Sequence, residues 1–487
     1  MLGYTTPEKA GMPRAAIDRF LTDMQRHEIN LHSLMLLRGN DVFYERAWAP
    51  FSLDRPHRMY SITKTFTAVA IGLLAEEGKL SLDDPVIRYF PDKLPREISP
   101  WLEKQTIRHM LMMSTCFAGG PTWFQPGLKD RAAYYFARQA VKPAGALFDY
   151  DSTGSCVLGI LVERLSGMKL LDYLRLRVLD RLGGFADAVI LENPDGTPWA
   201  DSGMVCSPRA LMNFARFVMN LGVWEGERLM NADYLRAATT AQTANDLEAR
   251  PLFNAHGYGY QIWMTEQNGF CFFGMGSQFA VCVPEKDFIL VCTGDNQYND
   301  PVQYDLFRAI FDDLVAALPG GQAPWKPDLT SVPQLSVAHG AAHSPLESAI
   351  HGVQYVCDPN PMGIVRFHLE FNGEEGCFVY ENAQGLKRLP FGMKMNWFGK
   401  FPQLGYSNDR GNVHEITDFR LDCASSAGWV EENKLQLRVQ IIDRYFGSCV
   451  MSFGFVGTEA VGVRMIHHAE DFLEEYEGWM AARRVDP

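Results

Sequence analysis

The sequence has no C-x-x-C pair, although ten cysteines lie scattered between Cys116 and Cys449. Zinc ribbons, zinc fingers and thioredoxin-like redox motifs need cysteines paired at short spacing, so they find no support here. The scatter reads instead as reduced, mostly buried thiols of a cytoplasmic protein. Positive charge is also short. Lys and Arg number 45 against 58 Asp and Glu, a net charge of -13. A surface that acidic repels phosphate, which speaks against nucleic-acid partners and docking on anionic membranes. The longest run of small and apolar residues, Ala68 to Ala75, is far below a membrane span. The opening Met1–Pro7 shows no basic region followed by an apolar stretch, so no secretory signal is expected. Internal repeats and low-complexity tracts are missing too. What remains is a globular balance, 47% hydrophobic and 21% charged, over 487 residues, which predicts two or three domains.

Periodicity fills in the organisation. Ile17, Phe20, Leu21 and Met24 predict an amphipathic helix over 14–26. Two apolar runs, 33–37 and 42–48, flank Arg38-Gly39-Asn40-Asp41 and predict a hairpin. A helical middle follows, from about 60 to 240 by the same periodicity argument. Strands are expected to return at 258–264, 270–273, 279–283 and 288–293, before a last helix at 302–317. Helix and strands at both ends with helices between predict an α+β domain over residues 1–318, its terminal segments pairing into one antiparallel sheet. The Pro- and Gly-punctuated stretch 319–345 reads as a linker. Residues 346–487 read as an all-β barrel or sandwich, on the strict alternation of Lys434–Ile441 and several evenly spaced short runs, closed by an acidic helix at 469–482.

Chemistry concentrates at three places. In Tyr60-Ser61-Ile62-Thr63-Lys64 a helix is predicted to start, and i,i+3 spacing puts Lys64 beside Ser61. A serine hydroxyl needs a base, and a neutral amine can be one. The same spelling at Ser166-Gly167-Met168-Lys169 falls at a predicted helix end and lacks that context. In Pro143–Ser152 a turn brings Tyr150 and Ser152 to the start of a predicted helix, where a phenol can shuttle a proton and Ser152 can bond the lysine or the substrate. Tyr406-Ser407-Asn408 is a decoy in the β-rich tail. In Gly274-Met275-Gly276-Ser277-Gln278, between two predicted strands, small residues allow a substrate to lie along a strand edge.

In this order the pieces resemble the serine β-lactamase and penicillin-binding-protein superfamily, closest to its class C-like branch of family VIII esterases, D-aminopeptidases and β-lactamase-related serine hydrolases. Thr6–Met12, Gly78–Val86, Thr106–Leu111 and Ser202–Leu211 add to the likeness, which spans roughly residues 5–317. The resemblance implies a two-lobe fold and an acyl-enzyme on Ser61, with Lys64 as base and Tyr150 as proton donor to the leaving group. It implies oxyanion donors at the backbone N–H groups of Ser61 and Gln278, with Gly276, Ser277 and Ser152 lining the substrate. It calls for no metal and no organic cofactor. The tail resembles the lipocalin-like domains appended to some members; Phe391–Tyr406 is its aromatic-rich segment.

Two departures shape the expectation. The second motif, Tyr-x-Asn in the family, reads Tyr150-Asp151-Ser152, and the third starts on Met275 in place of a Lys or His. A cation there would pair with a substrate carboxylate through a contact worth roughly 1.5–3 kcal/mol. Its loss points to small esters or amides of uncharged acids, with Trp263, Phe270, Phe272 and Phe273 nearby; His256, Arg58 and Lys400 are the candidate replacement charges. The competing readings are a penicillin-binding protein or β-lactamase acting on β-lactams or D-alanyl peptides, and a non-catalytic binding or assembly protein. Homo-oligomer formation stays open.

Overall fold

Ile17, Phe20 and Met24 recur on one face and are buried, so Arg14–Arg26 (α1) forms as an amphipathic helix with the predicted bounds. The computed structural model describes residues 2–117, 128–141, 143–146, 148–243, 245, 256–297, 300–318, 335–404, 420–444, 446–468 and 473–485. The chain divides into two compact units, one ending at Pro333 and one beginning at Gln334.

The first unit is built on β1 (Gly3–Tyr4), β2 (Leu31–Arg38), β3 (Asp41–Ala47), β4 (His57–Arg58), β5 (Val189–Ile190), β6 (Met204–Cys206), β7 (Val223–Trp224), β8 (Glu227–Arg228), β9 (Trp263–Met264), β10 (Phe270–Gly274), β11 (Gln278–Val283) and β12 (Phe288–Gly294). Seven of these strands form one sheet in the order β1-β3-β2-β12-β11-β10-β9. Its middle is the antiparallel β2–β12 pair, with Leu31 opposite Gly294 and Arg38 opposite Phe288. The two ends of the unit therefore meet as the hydrophobic pattern predicts. The sheet has two apolar faces. One packs on α1 and on the helix Asp300–Ala309, which continues into a π-helical turn at Ile310–Val315. The other packs on the helical lobe, whose centre is Thr63–Glu76 (α2) with every residue from Thr63 to Leu74 buried. Ser152–Ser166 (α3) lies beside α2 and ends on Gly167 at φ 72°, the left-handed cap that glycine adopts without strain. Pro208–Met219 (α4) packs behind the sheet. The strand expected at 258–264 shrinks to Trp263–Met264, because Gln261 takes φ 57° and breaks the run.

The second unit is a closed barrel rather than a sandwich. Its strands are β13 (Tyr355–Cys357), β14 (Arg366–Asn372), β15 (Glu375–Asn382), β16 (Gly385–Met393), β17 (Trp397–Leu404), β18 (Arg420–Glu431), β19 (Lys434–Ile442), β20 (Phe446–Val456), β21 (Ala460–His468) and β22 (Gly478–Arg484). They run β16-β15-β14-β13-β22-β21-β20-β19-β18-β17, and a parallel β16–β18 pairing closes nine of them into the barrel, with β17 joined to β18 outside the ring. Leu435, Leu437, Val439 and Ile441 all point inward, as their alternation predicts. In the interior Tyr355 stacks on Phe367 and Phe378 on Tyr380, with Phe367 edge-on to Phe378. The acidic helix expected at 469–482 does not form over its described residues, 473–482. Glu474–Tyr476 makes one 3-10 turn and Gly478–Arg484 is a strand, because the ring needs a member between β13 and β21. Residues 469–472, 319–334 and the decoy 406–408 lie outside the described residues. From Leu335 the expected linker lies against the barrel, with Ala338 N donating to the Ser426 hydroxyl and Ala341 bridged to Trp429.

Candidate active site

Ser61 sits in a 3-10 turn, Tyr60–Ile62, that feeds directly into α2. The turn is clamped from several sides. Met59 N donates to Met204 O at 2.8 Å, and the Thr63 hydroxyl donates to Tyr60 O at 2.6 Å. Tyr60 itself has φ 47°, a left-handed conformation that costs a bulky residue about 1–2 kcal/mol. The Arg58 guanidinium lies 4.5 Å from the ring centres of both Tyr60 and Trp199 and holds that strained residue in place. Backbone strain of this kind clusters at functional sites.

One turn along α2, Lys64 directs its Nζ to Ser61 Oγ at 2.9 Å. The lysine is 1% exposed, whereas Ser61 is half-buried and reachable. A second bond fixes the amine: Nζ donates to Asp201 O at 3.0 Å. Tyr150 arrives from the segment before α3, its ring centre 4.9 Å from Nζ. It stacks on Trp263 at 5.5 Å and 22°. Hydroxyl and amine from one stretch of sequence and the phenol ring from a second, more than eighty residues on, thus meet at one place.

The other predicted positions are less close. Ser152 opens α3 and is half-buried, and no hydrogen bond joins it to Lys64. Its neighbour Asp151 is buried and held by Arg138 Nη1 at 3.1 Å and the Thr115 hydroxyl at 3.2 Å, so it anchors the loop. Met275, Gly276 and Ser277 form the turn between β10 and β11, with Met275 exposed. Gly276 and Ser277 adopt φ 79° and 75°. Ser277 and Gln278 are fully buried, and the Gln278 amide donates to Met275 O at 2.9 Å and Gly294 O at 2.8 Å. No hydrogen bond joins residues 276–278 to Ser61. The close approach is two residues earlier: a Cβ on Gly274 would stand 2.2 Å from Met59 O, so glycine is what lets β10 lie against the turn that carries Ser61. Of the candidate replacement charges, Arg58 is sealed in the core, His256 is exposed, and Lys400 pairs with Asp422 at 2.7 Å. The duplicate S-x-x-K is a surface feature, with Lys169 paired to Glu192 at 2.6 Å.

The family model described as Beta-lactamase matches residues 17–313. The chain belongs to the β-lactamase family. Within the family it is similar to the 6-aminohexanoate-dimer hydrolase of Paenarthrobacter ureafaciens, 24% identical over 311 residues that cover 59% of this chain and 78% of that protein. It is also similar to the esterase EstB of Burkholderia gladioli, 27% identical over 189 residues, 32% of this chain and 46% of that protein. Among solved structures, EstCE1, a hydrolase with promiscuous acyltransferase activity, matches with a TM-score of 0.50 at 16% identity, over 61% of this chain and 99% of that one, a likeness of fold. This β-lactamase-family chain is a serine hydrolase.

Sequence reading missed two members of the site. Asp201 carries no motif, and its carbonyl reaches Lys64 only because Ala200 O and Met204 N are tied to Thr67 and Thr63 of α2. Gln261 is the other. Its side chain receives the Ser155 hydroxyl at 2.5 Å and donates to Met110 O and Leu111 O, while its carbonyl accepts from Thr65. It ties α2 and α3 together two residues before Trp263. Burial pushes the Asp201 carboxyl up from its usual range, opposed by Lys64, the Ser202 hydroxyl and Arg58. Among the described residues no three His, Cys, Asp or Glu side chains gather as a metal site, and no helix is long and apolar enough to cross a membrane.

Proposed function

We propose that Ser61 is the nucleophile of an acyl-enzyme hydrolase acting on small esters or amides of uncharged acids, with residues 1–318 as the hydrolase domain. The observation that carries this is the buried Lys64 amine 2.9 Å from a reachable Ser61 hydroxyl. Ser61 Oγ attacks the substrate carbonyl carbon while its proton passes to the Lys64–Tyr150 pair. The tetrahedral oxyanion faces the backbone N–H groups of Ser61 and Gln278, the two donors we assign. The intermediate collapses, the pair returns the proton to the departing oxygen or nitrogen, and the acyl group stays on Ser61. Water, deprotonated by the same pair, then releases the acid. Gly276, Ser277 and Ser152 shape the edge along which the substrate lies.

Substrate class follows from what faces the site. Exposed Met275 stands where a carboxylate-binding cation would, and Trp263 backs Tyr150, so an uncharged acyl group fits better than a carboxylate-bearing β-lactam or D-alanyl peptide. The name of one relative, an esterase, is in keeping with an ester substrate. Ten cysteines present as thiols, nine of them buried, support a reducing compartment and hence the cytoplasm.

A fluorophosphonate probe adds its mass at Ser61 in the wild type, and Ser61→Ala abolishes both labelling and p-nitrophenyl ester hydrolysis. Labelling at another residue, or turnover that survives in the variant, would sink the reading. Nitrocefin turnover exceeding that of the esters would move the protein to the β-lactamase reading.

A further inference from the structure

Lys64 faces a second buried charge. Its Nζ lies 3.9 Å from Oδ2 of Asp201, and each side chain is 1% exposed. The segment carrying Asp201 is laced to α2 on both sides: the Thr67 hydroxyl donates to Ala200 O at 2.7 Å, and Met204 N donates to the Thr63 hydroxyl at 2.9 Å. The carboxylate is therefore fixed relative to the amine. Its Oδ2 accepts from the Ser202 hydroxyl at 2.9 Å, while Oδ1 is buried with no donor among the described residues. A buried carboxylate oxygen without a donor is costly, and such a group persists where a nearby charge offsets the cost. The other charged or titratable groups facing the pair are Arg58 from β4, the Cys156 thiol from α3, and Tyr150 across the amine. None of them comes between Oδ2 and Nζ in the contacts described.

We propose that Asp201 supplies the counter-charge of the base: its carboxylate steadies the ammonium that forms when the Lys64 amine takes the Ser61 proton. This rests on the roles given above to Ser61 and Lys64. In the step, the Ser61 O–H bond breaks, an Nζ–H bond forms, and the electron pair left on Oγ becomes the new bond to the carbonyl carbon. Asp201 neither gains nor loses a proton. It touches no substrate atom and is a positioning residue, one that acts through the lysine. Its main-chain carbonyl orients the amine, and its side chain supplies the field.

The two contributions separate in Asp201→Asn, which keeps the carbonyl and nearly the volume but removes the charge. An opposite charge within ~4–6 Å typically moves a titration by about 1–3 pH units. The expected result is a kcat for p-nitrophenyl esters at least about tenfold lower, with KM little changed, as for an interaction made in the transition state. The pH profile of kcat/KM for the coupled Ser61–Lys64–Tyr150 group should move to lower pH by about one unit or more, since the carboxylate no longer favours the protonated form. Asp201→Ser, smaller and also uncharged, is read alongside. A shared shift in both variants reports charge, because a packing defect would differ between them. A folded variant whose pH profile superimposes on the wild type overturns the proposal, and so does loss of folding in both, which would make Asp201 a packing residue. Fluorophosphonate labelling of the wild type keeps the two levels apart. If Ser61 is not labelled, the parent reading fails; if it is labelled and the profile stays put, only the role of Asp201 fails.

Discussion

At the residue scale, the site depends on a missing side chain as much as on those present. Gly274 faces Met59 O, and a methyl group there would stand 2.2 Å from the oxygen. The oxygen belongs to the turn that leads into Tyr60 and Ser61, so the backbone has to move and Ser61 moves with it. Gly274→Ala is expected to cost about 1–3 kcal/mol, the range for forced overpacking, and to lower kcat/KM by far more than that loss of stability alone. Thermal melting and ester hydrolysis on the same sample check this; a variant with wild-type turnover would show that β10 does not set the position of Ser61. Tyr150→Phe asks the complementary question. Its ring keeps the stack on Trp263 and the face toward Lys64, and only the hydroxyl is lost. Stability should stay within about 0.5 kcal/mol while kcat falls by roughly 10²–10⁴, the usual worth of a positioned acid–base group. Equal kcat in the two proteins would remove the phenol from the proton path.

At the scale of the element, the helices that carry the site are held by local signals that can be tested without touching chemistry. Ser207 caps α4, its hydroxyl accepting from Ala210 N at 3.1 Å, with Pro208 in the first turn. Ser207→Ala should cost about 0.5–2 kcal/mol and leave KM unchanged, measured by urea unfolding beside steady-state kinetics. Such signals were also what made the fold legible from sequence. The three-to-four spacing of Ile17, Phe20 and Met24 determined α1, and Gly167 marked the end of α3, because each is a local cause with a local effect. Ser61 and Lys64 were legible for the same reason, being one helical turn apart. Asp201 was not, because 137 positions separate it from Lys64 and only the strands and hydroxyls of the folded chain bring it in. The C-terminal helix failed in the opposite direction. Residues 478–484 have an acidic, helix-like neighbourhood, but the barrel leaves an open place between β13 and β21, and pairing on both edges outweighs propensity. Gly274 was seen as a small residue, yet its use, an approach to Met59 O, depends on packing between elements that no spacing encodes.

At the scale of the molecule, a pair of histidines links the large sheet to the small one and ties stability to pH. His32 on β2 and His57 on β4 are both buried, their Nδ1 and Nε2 atoms 2.9 Å apart, and Phe51 stacks on His32 at 3.7 Å. The His57 Nδ1 lies 3.0 Å from Arg58 O, which can only accept, so Nδ1 carries the proton. His57 Nε2 is then the acceptor for the His32 Nδ1–H, and a further proton on Nε2 would set two donors against each other. Burial accordingly depresses His57 to about 4, opposed by the bond to Arg58 O and helped by the Arg55 charge, and burial together with His57 lowers His32 as well. The unfolded chain takes up these protons near pH 6.5, whereas the folded chain keeps His57 neutral down to about 4. Between those limits unfolding consumes protons, so the stabilisation is complete above pH 6.5 and falls as the pH drops, by about 1.4 kcal/mol per unit for one histidine. Over the full window His57 contributes ~3 kcal/mol. Urea titrations that follow loss of ester hydrolysis, run at pH 7.5 and at pH 5.5, should show the midpoint fall in the wild type. His57→Gln, which retains a donor for Arg58 O but cannot be protonated, should lower stability at pH 7.5 and flatten that dependence. A variant slope equal to that of the wild type would mean that the pair is not what couples this fold to acid, since carboxylates titrate largely below this interval.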